Sequence, residues 1–263
     1  MDGFETLATG YELVEAPTWL PDGGLAFSDV LGGGVYRLDP DGSVSTLVPK
    51  RRGVGGIAVH ADGGIVCSGR DLIRVVDGET TPVFGAGGAN WNDLAVDADG
   101  AVWAGSVRFA VFDPDAAVVP GELWRIDAAG GEPVVEGIHH CNGVGFSPDG
   151  SRVYVSDTRR NVVVASDLDG GNRRELAVPF PDGLAVDVDG FVWMASFTGG
   201  NLVRIDADGA VERTLEVGPP VTSVCLGQDG DLIVVTASGR GESGSILRTR
   251  VDVAGVPIHP ARV

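Results

Sequence analysis

One phrase recurs six times along this chain: a strand-like run, an Asp-Gly turn and a second strand-like run. It reads TWLPDGGLAFSD, AVHADGGIVCSG, AVDADGAVWAGS, GFSPDGSRVYVSD, AVDVDGFVWMAS and CLGQDGDLIVVT, with turn aspartates Asp22, Asp62, Asp99, Asp149, Asp189 and Asp229. Successive turns lie 40, 37, 50, 40 and 40 residues apart. A repeat of that length is one supersecondary unit that must stack on its neighbours to bury its apolar faces. The flanking runs are short, rich in Val, Ile, Trp and Tyr, and bounded by Gly and Asp, which excludes helical repeats. Asp-Gly suits a tight hairpin because Gly, and Asp to a lesser degree, accepts positive φ.

A second turn follows in most copies, at Pro40–Gly42, Val76–Gly78, Leu168–Gly170 and Ala207–Gly209. A third strand precedes it (GVYRLD, GELWRID, NLVRIDA) and a fourth follows (SVSTLV, AVERTLEV). Four antiparallel strands in each of six repeats predict an all-β, six-bladed β-propeller spanning residues 1–263 as one domain. Residues 4–14 read as a strand that joins the last blade and closes the ring, so that no sheet edge stays open. The long step after Asp99 places an extended connection, SVRFAVFDPDAAVVPG, in blade 3.

Composition narrows the partners. The formal charge is −18 and hydrophobic residues make up 43% of the chain. The apolar share supports a packed core, and the negative surface argues against nucleic acid and anionic membrane. The expected partner is a small molecule, with the protein a monomer or weak homodimer. The start, MDGFETLATG, has neither a basic nor an apolar leader-like segment, and Cys67, Cys141 and Cys225 lack metal-type spacing. Reduced, buried thiols and a cytoplasmic location are therefore expected. Most aspartates sit in DG and DxDG turns and read as turn formers.

In register, one column stands out. Seven residues before each turn aspartate are Glu15, Gly55, Asn92, Asn142, Asp182 and Thr222. The column opens the innermost strand of each blade, which lines the central channel. Four of its members carry a carboxylate or carboxamide oxygen. Three residues later the column is small: Thr18, Ala58, Ala95, Gly145, Ala185 and Cys225. Two carboxylates at one height repel unless a cation lies between them or one is protonated. Hard oxygen donors select Ca2+, Mg2+ or Mn2+. The alternative for any one of the four is a turn cap.

These segments resemble the SMP-30/gluconolactonase/luciferin-regenerating-enzyme family of six-bladed propellers over nearly the whole chain. EAPTW at 15–19 is similar to that family's E-G-P-x-W opening, with Ala16 in place of Gly. NDLAVDADGAVWAGS at 92–106, PGELWRID at 120–127, CNGVGFSPDGSRVYVSDT at 141–158 and PDGLAVDVDGFVWMASFTGGNLVRID at 181–206 resemble its later motifs. The resemblance implies that Glu15, Asn92, Asn142 and Asp182 hold one divalent cation, Ca2+ first, with Zn2+, Mn2+, Mg2+ or Fe2+ also admitted. It implies hydrolysis of a lactone or related ester, with Asp182 as catalytic base. Phosphotriester hydrolysis, Lewis-acid isomerisation or elimination, and a non-catalytic metal-stabilised binding propeller are the alternatives.

The substrate side departs from the family. Asn90 stands where sugar-lactone members tend to carry Arg, and Val107, Arg108, Phe109 and Ala110 follow Ser106 where some carry Glu. With Leu13, Phe180, Phe109 and Phe112 nearby in the pattern, a substrate less polar than a typical sugar lactone is expected. Asn90, His140 and Phe180 stand two residues before a ligand and are candidate substrate contacts. His140 reads as a proton shuttle or hydrogen-bond donor, or as a histidine satisfying a loop carbonyl. Arg108 reads as a carboxylate or phosphate binder on the blade 3 connection, or as a solvated loop arginine. Trp103 and Trp193 are read as packing, and Trp91 as packing or pocket wall.

Overall fold

The structure, a computed structural model, describes residues 3–85, 88–239 and 241–263. Its 24 strands form six four-stranded antiparallel sheets, and the described residues include one 3-10 turn, Thr158–Arg160. The sheets are the six blades of a β-propeller. Their innermost strands are Val14–Trp19, Ile57–Val59, Asn90–Val96, Cys141–Phe146, Pro181–Val186 and Val221–Leu226. In five blades the strands run outward in chain order. In the sixth, Val221–Leu226, Asp231–Thr236 and Gly244–Arg250 are joined on the outside by Glu5–Tyr11. The first strand of the chain thus closes the ring with the last three, as the sequence predicts.

The Asp-Gly turns work differently from a two-residue hairpin. Only the glycines take positive φ: Gly23, Gly63, Gly100, Gly150, Gly190 and Gly230 lie between +68° and +91°. Each donates its N–H to the carbonyl three residues back, as Gly23 does to Leu20 at 3.0 Å. That is a type I turn followed by a left-handed glycine. The aspartates stay right-handed and use their side chains, as when Asp149 Oδ1 accepts the Ser151 N–H at 3.0 Å. Asp77-Gly78, in a second-type turn, is the pair that takes positive φ at both positions.

Two DxDG stretches do more than turn the chain. In blade 5, Asp187 accepts the Trp193 indole N–H at 2.9 Å and the Arg204 guanidinium at 2.7 Å. In blade 3, Asp97 holds Trp103 at 2.8 Å and Arg125 at 3.3 Å. Both tryptophans are fully buried, so their N–H groups need these acceptors. Trp91 is packing too: it meets Phe84 and Trp124 edge-on between blades. All three cysteines are buried and free.

The chain after Arg250 crosses the end of the channel away from the strand starts. Val256 donates to Val186, Ala261 to Val59 and Arg262 to Gly100. The segment floors a cavity of about 600 Å³ lined by Ala16, Thr18, Asp93, Leu184, Cys225 and His259 among others.

Candidate active site

The innermost strands share an irregularity where the column begins. In blade 1, Glu15 faces Ser28 but Thr18 faces Ala26, so three residues advance against two. The same slip separates Trp91 from Leu94, Cys141 from Val144 and Pro181 from Leu184. A β-bulge bends its strand and re-aims one side chain. Here it recurs at Glu15, Asn92, Asn142 and Asp182, each lying within or at the edge of the slip.

Small neighbours let these strands converge. Gly143 and Gly183 follow Asn142 and Asp182, and a methyl group at either would strike the next blade: the backbone at Asp182–Leu184 for Gly143, and Ser223 for Gly183. Gly55 is the column member of blade 2, and a methyl group there would collide with Asn92 Oδ1. Thr222, the member from blade 6, donates to the carbonyl oxygens of Val14 and Val235 at 2.5 and 3.1 Å and stitches blade 6 to blade 1.

Neighbouring groups hold the two carboxamides. Asn92 Nδ2 donates to the carbonyl oxygen of Cys141 at 2.9 Å. Asn142 Nδ2 lies 3.3 Å from Thr158 Oγ1, which itself donates to the Pro181 carbonyl at 2.7 Å. The Asn142 carboxamide stands beside the Asp182 carboxylate. Glu15, Asn142 and Asp182 are buried. Burial raises the Glu15 carboxyl well above its usual range, and the charges of Asp182 and Asp93 raise it further. Burial likewise lifts Asp182, with Asp93 adding to the rise and the neighbouring Asn142 amide opposing it. Asp182 Oδ1 is buried without any hydrogen-bond partner.

Asp93 is the carboxylate that the column missed. It sits one residue past Asn92 and lines the channel cavity. Burial pushes its carboxyl up to about 7, against hydrogen bonds from the Leu94 and Val144 N–H groups. The Asn-Asp pair at 92–93 was visible in the sequence, but strand alternation places Asp93 on the opposite face. The bulge brings both residues to the channel.

The predicted substrate contacts meet different fates. Asn90 is exposed at the strand start. His140 is half-buried, edge-on to Phe109 at 5.9 Å between ring centres, and the Arg159 guanidinium lies 5.4 Å from the Phe109 ring. Burial, with Arg159 adding, pushes the His140 imidazole down to about 4, so it is neutral at neutral pH. The N–H groups of His139 and His140 both donate to the buried Asp157 carboxylate, at 2.9 and 3.2 Å. Phe180 is 44% exposed and has φ +48°, so the alternation argument does not extend to it. Its N–H donates to Asn161 Oδ1 at 2.8 Å. Arg108 forms an ion pair with Glu122 at 3.0 Å, and Glu122 also accepts the Ser106 hydroxyl at 2.8 Å. Its charge is answered from within the blade.

The donor set suits a hard cation. Two buried carboxylates of like charge, one with an orphaned oxygen, sit beside two carboxamides whose N–H groups are turned to acceptors of the protein. That leaves the carboxamide oxygens for a ligand. Among the described residues no three His, Cys, Asp or Glu side chains gather in metal-binding geometry, so such a site depends on the asparagines.

The sequence profile of the SMP-30/gluconolactonase/LRE-like region matches residues 13–239. The chain belongs to this family. It is 34% identical to a 6-deoxy-6-sulfogluconolactonase of Pseudomonas putida over 92% of each chain. It is 32% identical to the pentonolactonase XacC of Haloferax volcanii, covering 90% of this chain and 85% of that one. Among solved structures, a gluconolactonase from Xanthomonas campestris superposes with a TM-score of 0.81 at 27% identity, over 94% of this chain and 89% of the other. Family members named for lactone hydrolysis thus share this fold and nearly the full length of the chain.

Proposed function

We propose that this member of the family is a lactonase acting on the ring ester of a sugar-acid lactone, with Glu15, Asn92, Asn142 and Asp182 holding one divalent cation, Ca2+ first among the candidates. The observation that carries the reading is Asp182 Oδ1, a buried carboxylate oxygen with no protein partner beside a second buried carboxylate. When bound, a divalent ion supplies Lewis acidity toward an ester carbonyl and toward water.

The chain's own groups do the rest. Asp182 accepts a proton from the water that adds to the lactone carbonyl. The same proton passes to the ring oxygen as the C–O bond breaks, so the product is the open hydroxy acid. Asn142 stands beside Asp182, and Thr158 Oγ1 holds the Asn142 amide. Glu15 balances charge. His140, neutral at the working pH, offers a hydrogen bond from the wall. Phe109 and Phe180 give the site an apolar side, which suits a substrate face poorer in hydroxyl groups. The relatives named for sulfonated, six-carbon and five-carbon sugar lactones define the panel to assay.

The test follows proton release on that panel, plus one apolar lactone, with and without a chelator, for the native chain and Asp182→Asn. Turnover that is lost in chelator, restored by Ca2+ or Mn2+, and absent in the folded Asp182→Asn variant supports the reading. Turnover indifferent to chelator refutes the cation, and an active variant refutes Asp182 as base.

A further inference from the structure

The chain carries 19 basic residues against 37 acidic ones, and its only lysine is Lys50. Against that background, Lys50, Arg51, Arg52 and Arg70 surround one pocket of about 400 Å³, with Asn90 on its rim. Four cations converge on one pocket of a chain whose net charge is strongly negative. Arg51 is committed to the frame: it pairs with Asp71 at 2.7 Å and donates to the Ser68 carbonyl at 3.0 Å. Arg70 is 85% exposed and only approaches the same Asp71, at 3.9 Å. Lys50 and Arg52 have no acidic partner among the described residues. Lys50 also holds φ +61°, a conformation that costs any non-glycine residue free energy and persists only where the surroundings enforce it. One carboxylate thus faces four cations, and two of the cations are free.

The pocket lies at the end of the propeller that carries the candidate active site. Arg52 is three residues before Gly55, whose backbone lies beneath Asn92 Oδ1. Asn90 is two residues before Asn92, about 7 Å along the strand. The aromatic groups Phe109, His140 and Phe180 belong to blades 3 to 5, on the other side of the ring. A ligand reacting at Asn92 and Asp182 therefore meets unpaired cations on two sides: Arg159 beside Phe109 and His140, and the pair Lys50 and Arg52 in a formed pocket toward the gap between blades 1 and 3.

We propose that this pocket binds an anionic group on the far end of the substrate, a sulfonate, phosphate or carboxylate, and that the protein selects terminally charged lactones over neutral ones. Guanidinium and ammonium groups are the usual partners of such oxyanions, and Arg presents two parallel N–H donors to them. This rests on the lactonase reading, and it reassigns anion binding from Arg108, which Glu122 neutralises, to Lys50 and Arg52. The cue was present as the run Lys50-Arg51-Arg52 in a strongly acidic chain.

The experiment separates binding from turnover. Gluconate and 6-phosphogluconate, the open acids, are titrated calorimetrically into the Ca2+-loaded protein and into the double variant Lys50→Asn/Arg52→Gln. Asn is chosen because it tolerates the left-handed conformation at position 50. The expected result is a preference for the phosphorylated acid of about tenfold or more, falling toward unity in the variant and shrinking as KCl is raised. Equal binding of the two acids by the native protein, or a preference that survives in the folded variant, overturns the proposal. In parallel, kcat/KM for gluconolactone and its 6-phosphate is measured; the variant should raise KM for the charged lactone alone. A binding preference that vanishes in the variant, with no turnover of any lactone, upholds the pocket and refutes the hydrolase reading.

Discussion

Asn92 turns its amide toward the carbonyl oxygen of Cys141 in the next blade, at 2.9 Å, and so leaves its Oδ1 above Gly55 in the blade before. One side chain spans three blades, and its orientation is set by hydrogen-bond polarity. Asn92→Asp would place a carboxylate oxygen against that carbonyl, near Glu15, Asp93 and Asp182. In chelator the variant should lose about 1–3 kcal/mol of stability, the scale of a buried hydrogen bond turned repulsive. Added Ca2+ should restore part of it. Urea denaturation with and without Ca2+ measures both, and an unchanged midpoint in chelator would contradict the orientation.

Gly55 matters for what its missing side chain permits. A methyl group there meets Asn92 Oδ1, so Gly55→Ala should displace the carboxamide and weaken divalent-ion binding by about tenfold or more. Combining it with Asn92→Ala should relieve the steric strain without restoring the affinity, so the two changes are non-additive in stability. Additive losses would show that Gly55 and Asn92 do not touch.

The Asp187 and Asp97 networks repeat one design at different depths. Arg204 beside Asp187 is 9% exposed, whereas Arg125 beside Asp97 is 28% exposed and its contact is longer, 3.3 against 2.7 Å. Asp187→Ala leaves the buried Trp193 N–H without an acceptor and Arg204 with Glu212 at 3.1 Å as its nearest remaining carboxylate, and should cost about 3 kcal/mol. Asp97→Ala should cost less, since water reaches Arg125. Equal losses in denaturant titrations would contradict this ranking.

The buried thiols give a pH signature. Burial pushes Cys67 and Cys225 up to about 12. A thiol whose value is raised on folding stabilises the fold fully below its unfolded value, about 8.5, and that stabilisation is lost as pH climbs toward the folded value. Cys225→Ala should therefore flatten the fall of stability between about pH 9 and 12 by roughly 1.4 kcal/mol per pH unit. At pH 8 the native thiols should resist a disulfide reagent until urea is added. Rapid labelling of the folded protein would contradict their burial.

Much of this was legible in the chain. The six Asp-Gly turns set the blade count, and the alternating apolar runs set the strands, because hairpin geometry depends on neighbours in sequence. Glu15, Asn92, Asn142 and Asp182 emerged as one column for the same reason, since equivalent positions of a closed repeat face one axis. Asp93 did not emerge. Simple alternation turns it away from the channel, and the bulge at Trp91–Leu94 that brings it back has no signature in residue spacing.

The sequence by itself determined the propeller, its closure by the first strand and the oxygen-bearing column, all of which follow from local turn chemistry and periodicity. Tertiary structure alone decided which charges are free. Arg108 is spent on Glu122 and Arg51 on Asp71, while Lys50 and Arg52 stand open beside Asn90. An ion pair forms between groups that packing brings within a few ångströms, and partners 14 or 20 residues apart cannot be matched from the order of the chain.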